Sequence, residues 1–123
     1  MRVAVPSKQP GGFLATVEKS FSSAPVYTIF DINGEKKSVF VITNPTPGET
    51  LPSFLMAYGV QHVLLTDLSP ADVELGVVEN AWQSMMAVWV GASGKVEDAI
   101  RDFINQRLVE VTHIHGDEKM KEK

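Results

Sequence analysis

The chain contains no cysteine. Disulfides, thiolate zinc sites, cysteine-ligated iron–sulfur clusters and a cysteine nucleophile are therefore excluded, and nothing points to an oxidising compartment. Positive charge is also scarce. The 11 Lys and Arg stand against 15 Asp and Glu, for a formal net charge of −4. Such a surface repels phosphate backbones and anionic lipid headgroups, so neither nucleic acid nor a membrane is an expected partner. Long apolar runs are missing too. The opening stretch Met1–Pro6 is too short for a signal-peptide core or a membrane span, and the cytoplasm is the expected location.

Catalytic signatures are likewise absent. There is no HExxH, no nucleophile elbow and no Ser–His–Asp order. Asp31 and Asp67 are the only acids at expected strand ends, short of the converging set that a metal-dependent nuclease needs. The chain is not expected to be an enzyme.

What is present is an ordinary globular composition over 123 residues, 44% hydrophobic and 21% charged, which fits one folded domain. Residues 2–5 read as a buried strand ended by Pro6. Ser7 to Ser23, rich in Ser, Gly, Lys and Pro, reads as a long loop, and long loops in compact domains often carry function. Pro25–Ile32 and Lys37–Thr43 are β-rich runs around Asn33-Gly34, which predicts a hairpin with a type I′ turn. A proline-rich loop precedes a short helix over Thr50–Tyr58, closed by Gly59.

Gln61–Thr66 is a continuous apolar strand of the kind buried on both faces of a parallel sheet. Ser69-Pro70-Ala71-Asp72 predicts a helix start, with Ser69 as cap and Asp72 at the third position, running to about Asn80 or a turn further. Met85–Val90 is the next strand. The turn Gly91-Ala92-Ser93-Gly94 leads into a last helix, whose Val96, Ala99, Ile100, Phe103, Ile104 and Leu108 form one apolar stripe. This order predicts an α/β fold: a five-stranded mixed sheet, one hairpin strand antiparallel, between helices on both faces. Residues 1–108 form the expected domain and 109–123 a C-terminal tail.

Three places bear on chemistry. Lys19-Ser20-Phe21-Ser22-Ser23 offers hydroxyls, backbone N–H groups and an amine to an anionic ligand; alternatively the serines satisfy a turn while Phe21 fills the core. His113 and His115 share a face of an extended chain, followed by Asp117, and two imidazoles with a carboxylate suit a divalent transition metal. The Gly91–Lys95 turn opens a helix, but Glu97 and Asp98 in its first turn oppose an anion, so it reads as a tight turn with a cap. His62 stands alone. Trp82, Trp89, Met85 and Met86 offer a soft-metal or partner surface; alternatively, and more often for such residues, they fill core or a dimer contact.

Four segments resemble the dinitrogenase iron–molybdenum cofactor biosynthesis family. They are the opening strand Met1–Ser7; Val17-Glu18-Lys19-Ser20-Phe21-Ser22-Ser23-Ala24-Pro25, where the family loop reads roughly SEHFGRAP; Thr43-Asn44-Pro45; and Val88-Trp89-Val90-Gly91-Ala92-Ser93-Gly94-Lys95-Val96-Glu97-Asp98-Ala99-Ile100, similar to the family's last strand, GASG turn and helix. The resemblance implies a ribonuclease-H-like three-layer architecture. It also implies a nitrogenase accessory role, carrying a metal–sulfur (Mo/Fe) cluster or a metal ion. Ser20 stands where the family has His, and Ser22-Ser23 where it has Gly-Arg.

The expectation is thus a non-catalytic carrier, with Lys19, Ser20, Phe21, Ser22, Ser23 and Thr50 holding the ligand at a mouth formed by residues 7–23 and 44–52, and with His113 and His115 as metal ligands. Its partner would be a second copy or a metallocofactor-assembly protein. The alternative is a degenerate relative acting as a protein-interaction or homodimeric module with no bound cofactor.

Overall fold

The computed structural model describes residues 1–44, 51–69 and 71–113. Its elements run β1 (Arg2–Ser7), β2 (Val26–Asn33), β3 (Lys36–Thr43), α1 (Leu51–Ala57), β4 (His62–Leu65), α2 (Asp72–Gln83), β5 (Ala87–Val90), α3 (Val96–Ile104) and β6 (Val109–Val111). The strands form one six-stranded sheet in the order β3-β2-β1-β4-β5-β6. β1 runs parallel to β4, and β4 to β5; the pairs β1–β2, β2–β3 and β5–β6 are antiparallel.

The strands alternate between two cores, as a pleated sheet covered on both faces must. Ala4, Ile29, Val63 and Val88 face one core together with Leu51 and Leu55 of α1 and Val77, Val78 and Ala81 of α2. Val3, Val5, Phe30 and Leu64 face the other with Val96, Ala99 and Ile100 of α3. The helices therefore lie on both faces; α3 packs through Val96, Ala99, Ile100 and Phe103 of its expected stripe, while Ile104 is exposed and Leu108 lies beyond the end of the helix.

Several expectations need correction. The sheet has six strands, not five, because Val109–Val111 leaves the expected tail and pairs with Val88–Val90. The Trp82 indole N–H holds this strand by donating to the Val111 carbonyl at 3.0 Å. β1 runs through Pro6 to Ser7; its pairing with β4 involves only Val3 and Ala4, so the missing proline N–H falls beyond the parallel ladder. The hairpin forms, but Asn33 pairs with Lys36. Its central residues are thus Gly34 and Glu35, and only Gly34 has a positive φ, 65°, where a type I′ turn needs two.

α2 begins later than predicted. Ala71 is its N-cap, so the third helical position falls on Glu74 rather than Asp72. Ser69 is not the cap, although its Oγ accepts from the Ala71 N–H at 3.2 Å; Pro70 lies outside the described residues. α2 extends to Gln83, within the turn beyond Asn80 that the sequence allows. α1 closes as predicted, the Gly59 N–H returning to the Met56 carbonyl at 2.8 Å with φ 75°.

Candidate functional site

The long loop between β1 and β2 folds back over the sheet instead of hanging free. Its Glu18 N–H donates to the Pro6 carbonyl at 2.8 Å and its Val17 N–H to the Gly94 carbonyl at 2.9 Å. In return, the first-turn amides Val96 and Glu97 of α3 donate to the Ala15 and Phe13 carbonyls at 2.8 and 2.9 Å. Those helix N-terminal donors are therefore spent inside the fold, which agrees with the structural reading of the Gly91–Lys95 turn.

This docking carries Lys19 and Ser20 over the carboxyl end of β1. Next to it, Thr66–Ser69 leave the carboxyl end of the parallel neighbour β4. The chain from β1 goes to β2 on one side, and the chain from β4 goes to β5 on the other. A crevice opens where two such connections diverge, the usual place for ligands in open α/β sheets. Here it measures about 390 Å³, with a mostly apolar lining to which Lys19, Ser20, Thr66, Asp67, Leu68, Ser69 and Glu74 contribute.

Along one wall, the Glu74 carboxylate is held by the serine loop. Oε1 accepts from the Phe21 N–H at 2.8 Å and the Ser22 N–H at 3.3 Å. Oε2 accepts from the Ser20 hydroxyl at 3.1 Å, from the Ser22 N–H at 3.3 Å and from the Ser22 hydroxyl. Both oxygens are thus chelated by successive backbone and hydroxyl donors, the arrangement of an anion-binding nest.

The loop is shaped for this from behind. The Tyr27 hydroxyl donates to the Phe21 carbonyl, and Asn44 Nδ2 donates to the Ser22 and Ala24 carbonyls at 3.1 and 2.9 Å. With the Phe21 carbonyl drawn toward Tyr27, the Ser22 N–H of the same peptide points to Glu74. Burial, with the Glu74 charge added, pushes the Tyr27 phenol far above its ordinary pKa, so Tyr27 stays a neutral donor.

The residues singled out from sequence divide as follows. Ser20 and Ser22 give hydroxyls to the carboxylate, and Phe21 gives only its amide, its ring being 1% exposed in the core. The loop thus holds an internal carboxylate, while Phe21 fills the core and the serines satisfy the turn, as the alternative reading has it. Ser23 turns away; its N–H and hydroxyl both donate to the Ser20 Oγ, at 3.0 and 2.7 Å. Lys19 lines the crevice. His113 follows β6, beside the Thr112 hydroxyl at 3.2 Å, and is not on the crevice wall. Thr50 and His115 lie outside the described residues.

Thr66, Asp67, Ser69 and Glu74 went unrecognised in the sequence. The signal for the first three was available: they follow the central parallel strand, where connections reverse. Glu74 carried no local signal, since its bonds span 52–54 positions.

Among the described residues no group of three His, Cys, Asp or Glu side chains gathers to hold a metal ion. None of their helices is long and apolar enough to cross a membrane.

The chain is thus a mixed α/β domain with a crevice at a strand switch point. It is similar to the crystal structure of PH0822, with 27% identity and a TM-score of 0.74 over 91% of this chain and 97% of that one. It is similar as well to a proposed NifB protein from Thermotoga of the DUF35 family, with 25% identity and a TM-score of 0.73 over 92% and 95% of the two chains. A proposed dinitrogenase from Methanocaldococcus jannaschii shares the fold at 16% identity, with a TM-score of 0.67 over 93% and 97%. No family model matches the chain, and no curated protein matches it. The structural neighbours thus include nitrogenase-related proteins at low sequence identity.

Proposed function

We propose that the chain is a non-catalytic accessory domain of the dinitrogenase iron–molybdenum cofactor biosynthesis type, carrying a divalent metal ion reversibly as cargo. The observation that carries this reading is the crevice between β1 and β4, open to solvent, where Asp67 and the hydroxyl residues Thr66, Ser69 and Ser20 stand on an otherwise mostly apolar lining. The neighbours from Thermotoga and Methanocaldococcus lend it a nitrogenase setting. The order β3-β2-β1-β4-β5, with β6 added at the edge, supports a ribonuclease-H-like classification.

Of the two cargoes the family resemblance implies, the metal ion suits the walls better. Asp67 and the hydroxyls of Thr66, Ser69 and Ser20 are hard donors of the kind that divalent cations take. A metal–sulfur cluster does not fit the donor set: the chain has no thiolate, and the loop amides that would meet an anion are occupied by Glu74. With so few charged ligands, the affinity for a metal ion is expected on the order of 10⁻⁴ M, weak enough for delivery.

Equilibrium dialysis against Mn²⁺ or Fe²⁺ under anaerobic conditions, with metal analysis, tests the reading. One equivalent taken up by the wild type and lost in D67N is the expected result; uptake no higher than a buffer control contradicts it. A parallel arm with tetrathiomolybdate, followed by visible spectroscopy, is expected to show no uptake.

A second reading, a homodimeric or interaction module without cofactor, is favoured by the edge strand β3, where Val39 and Val41 are 38% and 40% exposed. A solution mass of twice the monomer, together with no metal uptake, would select it.

A further inference from the structure

We propose that Ser20–Ser22 form a binding site for a small oxyanion, carboxylate or tetrahedral, that Glu74 occupies in cis as a displaceable plug. The donor set is complete without Glu74. Two backbone amides and two hydroxyls converge on one point, and a nest of this kind recognises any oxygen pair with the spacing of a carboxylate, phosphate or sulfate edge. Tyr27 holds the Phe21 carbonyl from the other side and so orients the Ser22 N–H of the same peptide, while Asn44 ties the loop down at the Ser22 and Ala24 carbonyls. Part of the site is thus held by groups other than its occupant.

Access is built in as well. Ser20 and Glu74 line the crevice, so an anion entering from solvent meets the plug directly, with Lys19 on the same wall. Glu74 lies in the first turn of α2, and a change of its side-chain rotamer is enough to leave the nest without unwinding the helix. While the plug is in, an external anion must compete with a tethered carboxylate at high effective concentration. Wild-type protein should therefore bind free oxyanions poorly, and a chain lacking the plug should bind them well.

The test uses E74A and E74Q with sodium formate and sodium sulfate as probes, against sodium chloride at matched ionic strength and with no metal present. Because metal is left out, failure here and failure of the metal-cargo reading are separate results. In E74A, formate or sulfate is expected to raise the melting temperature by about 4 °C at a tenfold excess over Kd, with the wild type unmoved. Amide shifts in E74A should concentrate at Ser20, Phe21 and Ser22. An E74A protein that folds and responds to these anions as the wild type does overturns the proposal. If E74A does not fold by itself, refolding by formate but not by chloride supports it, and no refolding by either overturns it. E74Q, which keeps the side-chain length but loses one acceptor, is expected to respond to formate between the two; no response in E74Q alongside none in E74A counts against the site.

Discussion

The indole N–H of Trp89 donates to Nδ1 of His62 at 3.2 Å. A ring nitrogen accepts only when it carries no proton, so this bond assigns a neutral imidazole with its hydrogen on Nε2. Burial pushes the His62 pKa below the ordinary histidine value; Glu110 opposes this and the N-terminal ammonium adds to it. The unfolded chain then takes the proton first. Stability is whole above the unfolded value of about 6.5 and falls as pH drops through it. Glutamine at this position still accepts from Trp89 but does not titrate. Urea unfolding between pH 7.5 and 5 is expected to show a steeper loss in wild type than in H62Q. Parallel profiles would show that His62 does not contribute.

Asn44 spans the loop and β3 through a single amide. Its Nδ2 reaches both the Ser22 and Ala24 carbonyls, so N44A strips a donor from two half-enclosed acceptors at once. A loss of about 1–3 kcal/mol in urea-unfolding free energy is expected. The loosened peptide should appear as faster hydrogen exchange at Ser23, whose N–H shares it with the Ser22 carbonyl.

Much of this fold was legible because the signals were local. Asn33-Gly34 announced a hairpin, Val63-Leu64-Leu65 a strand buried on both sides, and the spacing of Val96, Ala99, Ile100 and Phe103 a helix lying on a sheet. The places that misled are those where a distant partner decides. Val109-Glu110-Val111 is too short to announce itself and becomes a strand only because Val88–Val90 and the Trp82 indole receive it. Ser69-Pro70-Ala71-Asp72 carried a sound capping pattern, yet α2 starts later and turns Glu74 toward the serine loop. The loop was recognisable as an anion cradle from its serines. That the anion belongs to the protein itself was not visible, because nothing within 50 positions of Ser20 hints at Glu74.

Tyr27→Phe keeps the buried ring and removes one hydroxyl. The Phe21 carbonyl then loses the donor that turns its peptide toward Glu74. A destabilisation of about 1–2 kcal/mol is expected by chemical denaturation. In a double-mutant cycle with E74Q, the two losses should sum to more than the double mutant shows, because both act on one loop. Strict additivity would mean that the phenol and the carboxylate act separately.

The sixth strand rests on few bonds, and Trp82 supplies one of them. W82F is expected to speed amide exchange in Val109–Val111 while protection in β1, β2 and β4 persists, as a locally opening edge should. Equal acceleration throughout the sheet would show instead that β6 is part of the global unfolding unit.

The metal-cargo reading turns on where a hard cation settles. Mn²⁺ titrated into ¹⁵N-labelled protein broadens the amides nearest to it, so the site reports itself residue by residue. Saturable broadening confined to Thr66, Asp67, Leu68 and Ser69 and the facing Lys19 and Ser20, abolished in D67N, is the predicted result. Broadening scattered over the acidic surface, or broadening at the crevice that D67N leaves unchanged, would contradict it.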